Sequence, residues 1–246
     1  MAQQKMTAQQ IASLLEAVAA PKKGERMLFL TDYPGGNLAA RGMMLNGRMD
    51  AKRAGRQELL FRWYDAAGQL AEKKGLRLLP LVRYPETGKN NADLPKTAAT
   101  HDGGHVDDLP ALIASANIVI AMTEYSATAP LNIIAAKAPD LRVVSMPGVT
   151  AEMEPAMSVD YGKIEDRGKK LLSVVQNAAG LEIVFGGAGI PNGTKLYVDT
   201  RTGNWLLDSG MCRKRGDFIN FPSGELFAPP YEGVDEDGRA QFGDSQ

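Results

Sequence analysis

Two stretches decide the fold: Ile118-Val119-Ile120-Ala121-Met122, and then Leu141-Arg142-Val143-Val144-Ser145. Each is an apolar run of strand length bounded by polar residues. Between them lies a segment of helical length, opened by Pro130 and closed by Lys137 to Asp140. Strand, helix and strand in succession read as two parallel strands joined by a crossover helix. The same alternation extends upstream. A helix is predicted around Leu109 to Ser115, and a strand from Arg77 to Tyr84. Before it, about 48 to 74, Leu59, Leu60, Trp63, Tyr64, Ala67 and Leu70 recur at helical spacing, with Arg56, Glu58, Arg62, Asp65 and Lys73 turned elsewhere and Gly75 ending the helix. Met27-Leu28-Phe29-Leu30 reads as a buried strand stopped by Thr31-Asp32-Tyr33-Pro34-Gly35-Gly36, and a short helix spans about 7 to 20. Residues 85–105 are polar and rich in Asn, Gly and Thr, which predicts a surface loop.

Downstream, Val159, Ile164, Leu171, Leu172 and Val175 predict one helix from about Ala151 to Asn177, with Glu165 and Lys169 spaced for helical charge pairing. From Gly180 the pattern changes. Leu181 to Phe185, Thr194 to Asp199 and Asn204 to Leu207 are short strands separated by Gly-Pro-Asn-Gly and Thr-Gly-Asn turns, with no helix between them. The expectation is an α/β chain: a doubly wound parallel sheet over 1–178, followed by an incomplete antiparallel β region over 179–246.

Composition narrows the function. A chain of 246 residues, 44% hydrophobic and 23% charged, can build a full core, and no apolar run reaches the 18 or more residues of a membrane span. The N-terminal apolar pattern (Ile11, Leu14, Leu15, Val18) is interrupted by Glu16 and lacks the continuous apolar stretch of a signal peptide. A net charge of −1 supplies no basic field for nucleic acid, and Arg213-Lys214-Arg215 reads as a solvated turn. The single cysteine, Cys212, excludes an internal disulfide and a thiolate zinc cluster, consistent with a reducing compartment, the cytoplasm.

Four segments bear on chemistry. Gly186-Gly187-Ala188-Gly189-Ile190-Pro191-Asn192-Gly193 follows a strand, but a dinucleotide loop needs a helix behind its glycines, and here a strand comes next. His101-Asp102-Gly103-Gly104-His105 has metal-binding side chains in a glycine loop that does not fix their geometry, so exposed loop histidines are expected. Thr123, Tyr125 and Ser126 stand at a strand end, where open α/β sheets place ligands, which allows a substrate-side or interdomain role; for Tyr125 core or interface packing is the plainer reading. A Ser nucleophile is disfavoured, since no Gly-x-Ser-x-Gly elbow and no paired histidine context accompany it. Last, in Asn220-Phe221-Pro222-Ser223-Gly224-Glu225-Leu226-Phe227-Ala228-Pro229-Pro230, Pro222 fixes φ and Gly224 permits a positive φ. Glu225 is thereby aimed from a turn as a carboxylate suited to a divalent metal; the plainer reading is a loop glutamate beside a packed Phe.

The Asn220–Pro229 segment resembles the signature of the thermophilic-type metallo-aminopeptidases, the family of aminopeptidase T. Ala121-Met122-Thr123-Glu124-Tyr125-Ser126-Ala127-Thr128 is similar to that family's Thr-x-Tyr-Ser stretch. Ser145-Met146-Pro147-Gly148-Val149-Thr150-Ala151-Glu152-Met153, with Val159-Asp160-Tyr161 after it, is similar to its Ser-Met-Pro-Gly-Ile-Thr block. The resemblance implies a hydrolase that releases N-terminal residues from peptides, a pair of zinc, cobalt or magnesium ions bridged by Glu225, and a dimer. It also implies further ligands from a C-terminal domain, so the sequence is expected to be cut short or a fragment. The fold further resembles the ring-cleaving dihydroxypyridine dioxygenases, which use a single iron and a small-molecule substrate. A third reading, from ligand arithmetic, is a catalytically silent binding or assembly module, since only Glu225 stands out as a ligand.

Overall fold

The computed structural model describes residues 5–34, 51–187, 189, 193–199, 204–228, 232–234 and 240–242. Its elements are, in chain order, α1 (Ala8–Ala19), β1 (Arg26–Tyr33), α2 (Ala51–Lys74), β2 (Arg77–Leu78), β3 (Val82–Pro85), β4 (Ala98–Thr100), β5 (His105–Val106), α3 (Leu109–Ser115), β6 (Ile118–Ala121), α4 (Thr128–Ala135) and β7 (Arg142–Ser145). After a 3-10 turn at Ala151–Met153 come α5 (Glu154–Met157), α6 (Tyr161–Val175), β8 (Gly180–Val184), β9 (Lys195–Asp199), β10 (Leu206–Asp208), β11 (Phe218–Asn220), β12 (Glu225–Phe227), β13 (Glu232–Val234) and β14 (Ala240–Phe242). Two compact units emerge: Met1–Tyr161 with Gly210–Ser223, and Gly162–Ser209 with Gly224–Gln246.

In the first unit, eight of the described strands form one sheet in the order β11-β7-β6-β1-β3-β4-β5, with β2 also on β1. The strands from β11 through β3 run parallel. Met27 to Asp32 are buried without a break, as a parallel strand covered on both faces requires. Leu28 and Leu30 join the cluster that holds Ile113 of α3 and Leu131 of α4. Phe29, one residue out of phase, meets Tyr64 of α2 edge-on at 5.6 Å. The helix α1 starts with a capping box, Thr7 with Gln10, and buries Ile11, Leu14, Leu15 and Val18. Its last carbonyls receive the buried guanidinium of Arg142, which lies 2.5 Å from Ala19 O and 2.5 Å from the carboxylate of Glu25.

The sequence expectations need correction in three places. The strand from Arg77 to Tyr84 is two short pieces, β2 and β3, because Pro80 between them has no N–H to continue the ladder. The 85–105 segment is not only loop: β4 and β5 extend the sheet antiparallel beyond β3, turned by Thr100 and Gly104. The helix from 151 to 177 is broken, since Ser158 leaves α5 with φ −83 and ψ 42 and α6 restarts at Tyr161.

The second unit contains most of α6 and three two-stranded antiparallel sheets among its described residues, β8-β9, β10-β12 and β13-β14. Gly168 of α6 permits close packing: a Cβ there would come 2.4 Å from Leu207 Cδ1 of β10. Doubly wound parallel sheet and small antiparallel sheets together match the expected fold class.

Candidate functional site

The strand order reverses at β1, whose neighbours are β3 on one side and β6 on the other. In open α/β sheets this is the place, at the carboxyl ends of the strands, where ligands lie. The backbone here is closed by side chains of β1. The Thr31 hydroxyl donates to Met122 O at 2.7 Å, and Asp32, 2% exposed, takes one N–H on each carboxylate oxygen, from Glu124 at 2.6 Å and Tyr125 at 3.0 Å. Burial pushes the Asp32 carboxyl up to about 6; the Tyr125 N–H and the Arg56 charge pull it down, while Glu86 adds to the rise. Arg56 does not face outward as its spacing implied. It is buried, 3% exposed, and pairs with Glu124, which also meets Lys52 at 3.1 Å. Arg53 grips Glu86 with two nitrogens, at 2.8 and 3.0 Å.

Beside this charged cluster lies an uncharged one. Ser126 Oγ stands 3.2 Å from Asn91 Oδ1 and 3.0 Å from Thr128 Oγ1. Thr128 Oγ1 in turn stands 2.9 Å from Ser145 Oγ and 3.0 Å from Asn220 Oδ1, so the ends of β6, β7 and β11 share one hydrogen-bonded network. Neither histidine takes part. His101 packs on Phe61 at 4.8 Å, and His105, in β5 and not in a loop, lies 3.3 Å from Asp107; both are exposed. Ser126 therefore has no imidazole base, while Tyr125 is half-buried and Thr123 fully buried.

Glu225 belongs to the second unit. It opens β12, its side chain is exposed, and the turn before it contains the cis Phe221–Pro222 bond. Gly224 is not in a positive-φ conformation, contrary to expectation; what requires glycine is space, since a Cβ would lie 3.1 Å from Ile164 Cγ2. The antiparallel register sets Asp208 opposite Glu225 and Leu207 opposite Leu226. Opposed residues share a face, so β10 and β12 present two neighbouring carboxylates on one side. Asp208 escapes sequence reading because only the pairing of distant strands brings it to Glu225. Two carboxylates suit a hard cation, yet iron sites of this kind take about three protein ligands. Among the described residues no group of three His, Cys, Asp or Glu could hold a metal. The pair does not close a metal site by itself. The glycine-rich segment 186–193 lies partly outside the described residues, and the strand β9 follows it in place of a helix.

No family model matches the chain, and no curated protein matches it. The aminopeptidase resemblance thus stands on its quoted segments alone. Among solved structures, a 2,5-dihydroxypyridine dioxygenase from Pseudomonas putida KT2440 is similar, with a TM-score of 0.55 and 14% identity over 92% of this chain. The match takes in 57% of the dioxygenase's own length. No helix among the described residues is long and apolar enough to cross a membrane. The chain therefore shares the fold of that dioxygenase over almost its whole described course and spans a little more than half of it.

Proposed function

We propose that the protein works in metal-dependent ring cleavage, as an iron dioxygenase acting on a small hydroxylated aromatic substrate. The observation that supports this reading is the fold match to the dihydroxypyridine dioxygenase across both units of the chain. Glu225 and Asp208, opposed on β12 and β10, are the carboxylates we assign to the metal. Iron(II) held there would supply oxygen activation. Among the described residues no third His, Cys, Asp or Glu joins them in a metal-holding group.

Oxygen uptake with 2,5-dihydroxypyridine, measured on iron(II)-loaded protein, tests the proposal. Turnover in the wild type that is lost in Glu225→Gln supports it; turnover unchanged in that variant removes Glu225 from the metal site, and no uptake at all overturns the dioxygenase reading. The second reading, a metallo-aminopeptidase using zinc, cobalt or magnesium, is favoured by the Asn220–Pro229, Ala121–Thr128 and Ser145–Met153 segments. Release of p-nitroaniline from aminoacyl-p-nitroanilides separates the two, since only the peptidase produces it.

A further inference from the structure

The chain passes between the two units three times, at Tyr161–Gly162, Ser209–Gly210 and Ser223–Gly224. The first-unit residues at these points are distant in sequence, yet they come together. A Cβ on Gly210 would lie 2.5 Å from Tyr161 Cε1 and 2.9 Å from Ser223 O. The ring of Tyr161, 3% exposed, packs on Phe221 with centroids 5.2 Å apart, so it is anchored in the first unit while the chain runs on from it into α6. The three crossings therefore make one joint. Links gathered at one point keep two bodies from separating and leave rotation about that point as the soft motion, and such motion is the ordinary expectation for units joined within one chain.

A glycine stands at every crossing: Gly162, Gly210 and Gly224. Gly210 has φ +73, and a side chain there would strike the Tyr161 ring. Gly162 lies in the first turn of α6, where alanine would hold the helix better by up to about 1 kcal/mol. A helix start made this permissive can turn its axis at little cost, and element ends are where hinges absorb backbone rotation. Just beyond the joint lies the carboxylate pair: Asp208 is two residues before Gly210, and Glu225 two after Ser223. Their register on β10 and β12, and the close packing of Leu207 on Gly168, tie both to α6.

We infer that this joint is a hinge: α6 and the β10-β12 pair, with Asp208 and Glu225 on them, rotate as one body about Tyr161, Gly210 and Ser223. The hinge depends neither on a metal nor on which reaction the protein performs.

Nitroxide pairs on the full chain in metal-free buffer, read by pulsed electron resonance in frozen solution, test it. Lys137→Cys with Lys170→Cys spans the joint, and Lys22→Cys with Lys137→Cys lies within the first unit; all three positions are exposed, and the buried Cys212 stays unlabelled. The spanning pair should give a wider distance distribution than the internal pair. Gly162→Ala should narrow the spanning distribution and leave the internal one unchanged, and Tyr161→Ala, which removes the anchoring ring, should widen it further. A spanning distribution as narrow as the internal one would overturn the inference. So would a spanning width that does not respond to Gly162→Ala, or one that changes only in step with the internal pair.

Discussion

The two units use their apolar residues in opposite ways. In the first, β6 and β7 are buried along their whole length, and Leu28, Val119 and Leu131 are 0% exposed. In the second, Val174 is 67% exposed, Val184 58% and Phe227 44%, on a helix face and on isolated strand pairs. The contrast follows from layering. A sheet covered on both faces can sink every residue of a central strand, whereas a two-stranded pair has no second layer and is marginal alone. The buried core therefore belongs to the first unit, and the second holds more of the exposed apolar surface, the usual mark of an association site, although Ile133 of the first is 59% exposed.

The largest expected effect is at Trp63, 1% exposed in α2. Trp63→Ala should cost about 3–5 kcal/mol in urea unfolding, whereas Val184→Ala should stay within about 0.5 kcal/mol. Equal losses at the two positions would erase the contrast.

Next comes pH. The folded Asp32 carboxyl is raised from 3.8 to about 6, so its contribution is full below the lower value and is lost as pH rises through the upper one. Asp32→Asn does not titrate. The stability of the wild type relative to that variant should thus fall by about 2 kcal/mol between pH 4 and pH 7, read from paired denaturation curves. A gap that widens with pH would show that the two N–H donors outweigh burial.

Smaller still is the carboxylate pair of the second unit. Opposed like charges repel, so Glu225→Gln in metal-free protein should stabilise by a few tenths of a kcal/mol, about 0.2–1 at most. A loss in its place would mean that the carboxylate already has a favourable partner. Least in energy, Val174→Lys with Val184→Lys should leave the unfolding midpoint within the ordinary surface range, about 0.5 kcal/mol, while reducing any concentration-dependent rise in light scattering. Scattering unaffected by these changes would place association elsewhere.

These regions were unequally legible in the sequence. Met27–Leu30, Ile118–Ala121 and Arg142–Ser145 declared themselves because strands buried on both faces are unbroken apolar runs. β4 and β5 did not, since strands of two or three residues are too short to show an alternation. Arg56 hid among the polar positions of α2, and its burial depends on Glu124, distant in sequence. Asp32 looked like a turn residue after a strand; its work is done on N–H groups more than ninety positions away. Asp32, Arg56 and Asp208 were missed for the same reason: each is defined by a partner that only the fold supplies.

The strand β11 sets an order on the making of this protein. It lies on β7 in the first unit, yet the chain has by then already passed through Gly162–Ser209 of the second. A ribosome delivering the chain from its N-terminus exposes β7 as an open sheet edge until residues 218–220 arrive, and open edges are templates for wrong pairing. Synthesis must run past residue 220 before the parallel sheet has its outer strand. Pauses in translation between residues 145 and 218 are the interval in which a growing chain of this protein is most exposed to capture by its neighbours.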